Sequence, residues 1–268
     1  MKKIAIHGVP RSGTTWLGSI FDSHPAVNYS FQPLFSFRFK DFLNETSSKP
    51  DIDNFFDKIS QIDDDFLAQT AQRSLGLVPY FEKEIPHKCI AYKEVRYHQI
   101  LHNLFEKDTE LFGVFIIRDP IEVLTSWINA PKEFNPEWKI EDEWDNASKK
   151  NLNKSEEFYG FLRWMEASRI FDALSKKYPD RVSLVNYAEL CTDTDKIIAN
   201  LFQRIGLTPS SQTHSFLRRS RAKTVSHPYS VFKSEGAQSE KKQQLPKKIQ
   251  SEIRNRLSND TSILKLFN

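Results

Sequence analysis

Short apolar runs alternate with longer stretches in which apolar residues recur at helical spacing. Lys3 to His7 is a brief run entering a turn at Gly8-Val9-Pro10, which predicts a buried strand. From Thr14 to Asp22 the apolar positions Trp16, Leu17, Ile20 and Phe21 line one helical face. His24-Pro25 ends that helix, because the residue before a proline is pushed out of the α region. Ala26 to Ser30 and Cys89 to Lys93 read as further strands, with residues 41 to 76 helical in two or three pieces between them. Tyr97 to Lys107 is predicted helical. Leu111 to Ile117 is almost wholly apolar, as a central parallel strand buried on both faces would be. Pro120, with Asp119 as cap, opens another helix. A long helix is predicted over 155–177, a strand over 181–186, a helix over 196–205, and a last helix starting near Leu245-Pro246.

Strands that alternate with helices predict an α/β fold, a three-layer α/β/α arrangement around a central, mainly parallel sheet. With no repeat and no biased linker, residues 1–268 read as one domain. Its 39% hydrophobic and 27% charged residues exclude collagen-like, mucin-like and disordered chains. Cys89 and Cys191 are too few for a disulfide framework and lack metal-site spacing. No 18-residue apolar stretch occurs, and Ile4-Ala5-Ile6 is too short for a signal-peptide core, so a soluble, cytoplasmic protein without a transmembrane segment is expected. The net charge of +3 hides an asymmetry: residues 214 to 256 hold 11 Lys/Arg against 3 Asp/Glu. That basic C-terminal segment, taken as 218–256, suits an anionic partner, and 222–244 is its expected mobile part. Nothing in the chain speaks to oligomeric state.

The first strand-to-helix turn reads Gly8-Val9-Pro10-Arg11-Ser12-Gly13-Thr14-Thr15. Such a turn points backbone N–H groups into a hollow where the helix dipole adds positive potential, which is what a phosphate needs. This makes the fold P-loop-like. A kinase or NTPase carries Gly-Lys-Ser/Thr at the end of that loop, whereas here Thr14 follows Gly13 and Arg11 is the loop's cation. A γ-phosphoryl group recruits Lys and Mg²⁺, but a transferred sulfuryl group is formally neutral SO₃, so it needs less neutralisation and no metal, and hydrogen-bond donors with one or two cations suffice. Arg118, predicted at the carboxyl end of a buried parallel strand, stands where open α/β sheets bind ligands, and Ser126 follows on the next helix.

These residues resemble the sulfotransferases that use 3′-phosphoadenosine 5′-phosphosulfate (PAPS). Gly8 to Leu17 is similar to their 5′-phosphosulfate loop, and Arg118-Asp119-Pro120 with Ser126 to their 3′-phosphate motif. Asp22-Ser23-His24-Pro25, Phe31-Gln32-Pro33-Leu34 and Lys93-Glu94-Val95-Arg96 resemble segments of the carbohydrate and tyrosylprotein members, and Asn186 to Leu190 resembles a segment near the adenine. The resemblance covers roughly residues 4–257. It implies that Arg11, Ser12, Gly13, Thr14 and Thr15 hold the phosphosulfate, Arg118 and Ser126 the 3′-phosphate, and Trp16 and Tyr187 the adenine. Tyr229 to Lys233 resembles the segment that closes over the cofactor, adding Ser230, Val231 and Lys233, although Lys241 stands near the place of a tryptophan often seen downstream.

Lys93 is the candidate for stabilising charge on the bridging oxygen, with Arg11 assisting. Where the resembling enzymes have a glutamate before proline, this chain has Gln32, and an amide cannot take a proton. Gln32 is left to orient the acceptor, and Glu94 and His98 are the nearest candidate bases; His7 and His24 rank below them. The expected activity is metal-free, in-line sulfuryl transfer from PAPS, leaving PAP, to a hydroxyl of a small molecule or glycan. A carbohydrate is favoured, with the aromatic clusters 31–42 and 127–144 as sugar-stacking walls. The competing readings are a P-loop kinase or NTPase and a non-catalytic PAP-binding protein. No nucleic-acid motif supports a third.

Overall fold

The computed structural model describes residues 1–222, 230–232, 243–260, 263 and 265. Five strands, β1 Lys2–His7, β2 Val27–Phe31, β3 Cys89–Glu94, β4 Phe112–Ile117 and β5 Val182–Asn186, form a wholly parallel sheet in the order β2-β3-β1-β4-β5. The helices among the described residues are α1 Thr14–Asp22, α2 Lys49–Gln61, α3 Thr70–Ser74, α4 Leu101–Lys107, α5 Pro120–Ile128, α6 Ile140–Glu143, α7 Ser148–Asn151, α8 Phe161–Lys177, α9 Tyr187–Thr192, α10 Thr194–Arg204, α11 Ser211–Ala222 and α12 Lys247–Ser258. None of them is long and apolar enough to cross a membrane.

The two-residue period of the strands divides the core. Ala5, Ile90, Tyr92, Phe115 and Ile117 face one side, where α2, α4, α5, α8 and α12 pack. Ile4, Ile6, Ala91, Val114 and Ile116 face the other, covered by α1, α10 and α11. Helices on both faces explain why β4 is apolar at every position. Register aligns the carboxyl ends of the central strands: His7 lies opposite Glu94 on one side and Phe115 on the other, and Ile117 lies opposite Asn186.

The long helix expected over 155–177 begins only at Phe161. Gly160 takes a left-handed φ of 84°, and the preceding residues are committed elsewhere: the Glu156 carbonyl accepts from Tyr97 N, and Asn151 bonds the backbone of Tyr159 at both its N–H and its carbonyl. The region 41–76 contains α2, headed by a Ser48–Asp51 capping box, and the short α3. The 211–222 segment is helical without having been predicted so; its mix of Ser, Arg and His hides a stripe of Thr213, Phe216, Leu217 and Ser220 that is buried.

The segment carrying α3 is tied down by one carboxylate. Asp22, buried at the end of α1, accepts from Arg73 at 2.6 Å and pairs with Lys83 at 2.8 Å. Arg73 also donates to the carbonyls of Ala68 and Pro79, and Lys83 to that of Val27. Burial pushes the Lys83 ammonium below its ordinary pKa, against the pull of Asp22. Removing the carboxylate leaves these cations desolvated and unmatched. Asp22→Ala is therefore expected to lower unfolding free energy by about 3–5 kcal/mol in a urea titration, and a loss under about 1 kcal/mol would show the clamp to be incidental.

Candidate active site

The loop between β1 and α1 is shaped by close contacts. A Cβ on Gly8 would lie 2.7 Å from the Ile116 carbonyl oxygen, so the loop leaves β1 flat against β4. Gly13 sits at φ 91°, and a Cβ there would lie 2.5 Å from the Tyr187 ring. Arg11 is also left-handed, at φ 72°, a conformation that costs energy for a side-chain-bearing residue and is found where a loop must curl tightly. Gly13 is the N-cap of α1 and offers no side-chain cap. Ser12 is fully buried, and its Oγ has no hydrogen-bond partner among the described residues.

At the end of β4 the chain brings its second motif to the same place. Asp119 accepts from the Ile121 and Glu122 amides and so caps α5, which frees Arg118 from it. Arg118 instead meets Glu122 at 2.8 Å and donates to the Arg11 carbonyl at 3.1 Å, its guanidinium 4.4 Å from the Tyr187 ring centroid. Arg11 Nε donates to Ser126 Oγ at 3.1 Å, and Arg11 meets Glu133 at 3.5 Å. Trp16 donates its indole N–H to Ser220 Oγ at 3.1 Å. Val231 N donates to the Leu77 carbonyl at 3.2 Å, fastening the 230–232 segment nearby. Lys233, Tyr229 and Lys241 lie outside the described residues, as does most of 222–244.

These elements enclose a cavity of about 440 Å³. Eleven residues singled out from the sequence line it: Arg11, Gly13, Thr14, Thr15, Trp16, Phe31, Arg118, Ser126, Tyr187, Ser230 and Val231. Sequence reasoning missed Lys132, Arg221, Ser220, Cys191 and the wall formed by Gln69, Ala71, Gln72 and Leu75. Only Arg221 left a trace, as part of the basic segment. Arg11, Arg118, Lys132 and Arg221 line the cavity, and no Asp or Glu does so among the described residues. A cavity so charged selects an anion.

The predicted chemistry at the end of β3 is more enclosed. Lys93 is 1% exposed, with its Nζ 4.3 Å from the Phe31 ring centroid. Burial lowers its pKa, and the neighbouring Glu94 charge opposes that shift. Glu94 is fully buried and accepts from Leu34 N at 2.8 Å, which holds the 3₁₀ turn Pro33–Phe35 against β3. Burial raises its pKa, opposed by Lys93. His98 is not brought to the cavity. It is fully buried, 2.9 Å from His7 through the two Nδ1 atoms and packed against Phe158 and Phe171, and burial holds both imidazoles well below their ordinary pKa. Gln32, left-handed at φ 44°, accepts through Oε1 from Arg96 at 3.2 Å. Arg96 in turn donates to Glu157 at 2.7 Å and to the Tyr159 hydroxyl at 3.2 Å.

The tight Gly13 contact has a measurable consequence. Gly13→Ala forces the loop away from Tyr187 and strains φ, so binding of inorganic pyrophosphate or PAP is expected to weaken at least about tenfold while circular dichroism stays unchanged. Unaltered binding would remove the loop from the site.

No curated protein sequence matches the chain. Among solved structures, mouse sulfotransferase SULT7A1 complexed with PAP is similar at 13% identity and a TM-score of 0.57, covering 99% of this chain and 88% of that one. Retinol dehydratase in complex with androsterone and the inactive cofactor PAP is similar at 12% identity and a TM-score of 0.54, covering 96% and 80%. At such identities these likenesses establish the fold. The family model described as the sulfotransferase domain matches residues 1–263, nearly the whole sequence. The chain therefore belongs to the sulfotransferase domain family and is an enzyme of the sulfuryl-transfer class.

Proposed function

We propose that this enzyme moves a sulfuryl group from PAPS to a hydroxyl by in-line displacement. The observation that carries the reading is the meeting of the Gly8–Thr15 loop with Arg118 and Ser126 around one cavity that is lined by four cations and no carboxylate among the described residues. PAPS supplies an activated sulfuryl group and a nucleotide leaving group with phosphates at both ends. The amides and hydroxyls of Ser12, Gly13, Thr14 and Thr15, with Arg11, suit its 5′ end, and Arg118 and Ser126 its 3′-phosphate. Trp16, Tyr187, Ser230 and Val231 suit the base, with Lys233 as a further expected contact. The absence of a loop lysine and the family match both stand against the kinase reading. In our reading the step needs no metal, because the transferred group is formally neutral and side-chain cations face the charge left on the nucleotide.

Lys93 lies in low dielectric beside an aromatic ring, where an approaching oxyanion favours its charged form and gains more from it than it would in water. We assign it the bridging oxygen, with Arg11 assisting from the loop. Gln32, its carbonyl oxygen taken by Arg96, presents its amide hydrogens to an acceptor. A carbohydrate hydroxyl remains the favoured acceptor, in the cytoplasm. Phe39, Trp127 and Phe134 are buried in the core and Phe42, Trp138 and Trp144 pack against it, so of the two aromatic clusters Phe31, Phe35 and the fully exposed Phe37 are left for stacking, with Phe66 packed beside the first two.

Calorimetry tests the donor site. PAP is expected to bind more tightly than ATP or 5′-AMP without Mg²⁺, and Arg118→Ala to weaken PAP by about tenfold or more. ATP preference that requires Mg²⁺ would overturn the reading. Lys93→Ala is expected to lower kcat about a hundredfold while PAP affinity changes little, assayed by PAP release with methyl β-glucoside, N-acetylglucosamine and 2-naphthol as acceptors. PAP binding without transfer to any acceptor would leave a binding protein on an enzyme's fold.

A further inference from the structure

The cavity has two unlike walls. Arg11, Arg118, Lys132 and Arg221 bring its cations, which the phosphates of the donor answer. The other wall, made by Gln69, Gln72, Leu75 and Leu77, presents amides and apolar groups. Such a wall suits a neutral, polar partner. We propose that Gln69 determines which acceptors react: its amide holds a second hydroxyl of the acceptor, beside the one that receives the sulfuryl group. Polyhydroxylated acceptors are then favoured over those with a lone hydroxyl. This inference rests on the sulfotransferase reading of the same site.

Gln69 is 2% exposed and lines the cavity. Its Oε1 has no hydrogen-bond partner among the described residues. A buried amide oxygen without a donor is costly, and a ligand that meets the amide recovers the loss. The local backbone does not call for glutamine. Gln69 precedes α3 at φ 55°, a left-handed conformation that glycine or asparagine adopts more readily, and its side chain caps nothing. Its main chain is fully engaged: the N–H donates to the Phe66 carbonyl at 3.1 Å, and the carbonyl accepts from Arg73 N at 2.9 Å. Arg73 is the residue clamped by Asp22, so the backbone that presents Gln69 is anchored to the end of α1.

Contacts through Phe31 put this residue at the reacting end of the cavity. Phe31 N donates to the Leu67 carbonyl at 3.0 Å, and the Phe31 and Phe66 rings meet edge to face with centroids 5.6 Å apart. Phe31 itself lines the cavity, lies opposite Lys93 in the β2–β3 register, and has its ring centroid 4.3 Å from Lys93 Nζ. The segment leading into α3 thus borders the residue assigned to the bridging oxygen. The far end of the wall belongs to the nucleotide, since the Leu77 carbonyl accepts from Val231 N at 3.2 Å. An acceptor that stacks on Phe31 and offers its reacting hydroxyl to Gln32 has Gln69 for a neighbouring hydroxyl. A hydroxyl both donates and accepts, and a terminal amide turns about a soft torsion, so either end of the amide serves it. A lone hydroxyl on an apolar ring leaves the amide unpaired, which a site built to bond a hydroxyl penalises.

The test uses Gln69→Met and Gln69→Asn in the full chain, with PAPS as donor. Methyl β-glucoside and N-acetylglucosamine offer several hydroxyls, and 2-naphthol offers one. The parent is expected to favour the sugars by kcat/KM. Gln69→Met, close in size but unable to bond a hydroxyl, is expected to lower kcat/KM for the sugars about tenfold and to leave 2-naphthol within about threefold. Its affinity for PAP by calorimetry should stay within about twofold of the parent. It should melt at the same temperature or higher, because an unpaired polar atom is removed, whereas a glutamine that served only the fold would melt lower when replaced. Gln69→Asn, which keeps an amide, is expected to retain part of the preference for sugars. Unchanged sugar kcat/KM in Gln69→Met, or an equal loss with sugars and 2-naphthol, overturns the proposal. So does a loss of PAP affinity of about tenfold, which would place Gln69 on the nucleotide. A parent that sulfates 2-naphthol but neither sugar overturns it and leaves the sulfotransferase reading standing. A parent that binds PAP but transfers to no acceptor ends that reading and the inference with it.

Discussion

Parallel pairing of β1 with both β3 and β4 is the constraint on which this site depends. It aligns the carboxyl ends of three central strands, so that the phosphate loop, Lys93 and Arg118 all emerge at one edge. No local preference would bring these segments together, since the loop ends 78 residues before Lys93 and Arg118 follows 25 residues after it. The sheet is stable because its faces are buried under helices on both sides, and that burial is also what makes the central strands uniformly apolar.

Within that frame, Tyr187 packs between the Gly8–Thr15 loop and Arg118. Its ring packs where a Gly13 side chain would be, and the same ring lies under the Arg118 guanidinium. Asn186, at the end of β5, caps the helix that carries it. The Gly8–Thr15 loop, the segment carrying Arg118 and the one carrying Tyr187 therefore position one another. The carboxylates that accompany the cavity cations, Glu122 on Arg118 and Glu133 on Arg11, do not line the cavity, so its positive potential is preserved.

The acceptor side follows a different logic. Glu94 and Arg96 flank β3's end, and each holds a part of the 32–35 turn: Glu94 the Leu34 amide, Arg96 the Gln32 side chain and the Phe35 ring, 4.0 Å away. Arg96 thus keeps its ion pair with Glu157 and makes a charge-assisted hydrogen bond to the neutral Gln32 amide.

Much of this was legible in the chain itself. The strands, α1, the cap at Asp119 and the turns that follow β1 and β4 are local: each depends on side-chain period, a turn residue or a capping group within a few positions, and the structure places them within a residue or two of expectation. The start of α8, the helix at 211–222 and the contribution of Lys132, Arg221 and α3 were not legible, because contacts with distant segments decide them. His98 shows the limit most clearly. Its nearness to Lys93 in sequence suggested a shared site, yet the chain turns after β3 and its imidazole enters the core beside His7. Sequence alone determined which residue types serve an anion and on which elements they ride, since those are properties of short segments. Which of them face one another was decided only by the tertiary structure, because the direction of a side chain at a strand end depends on what packs against it.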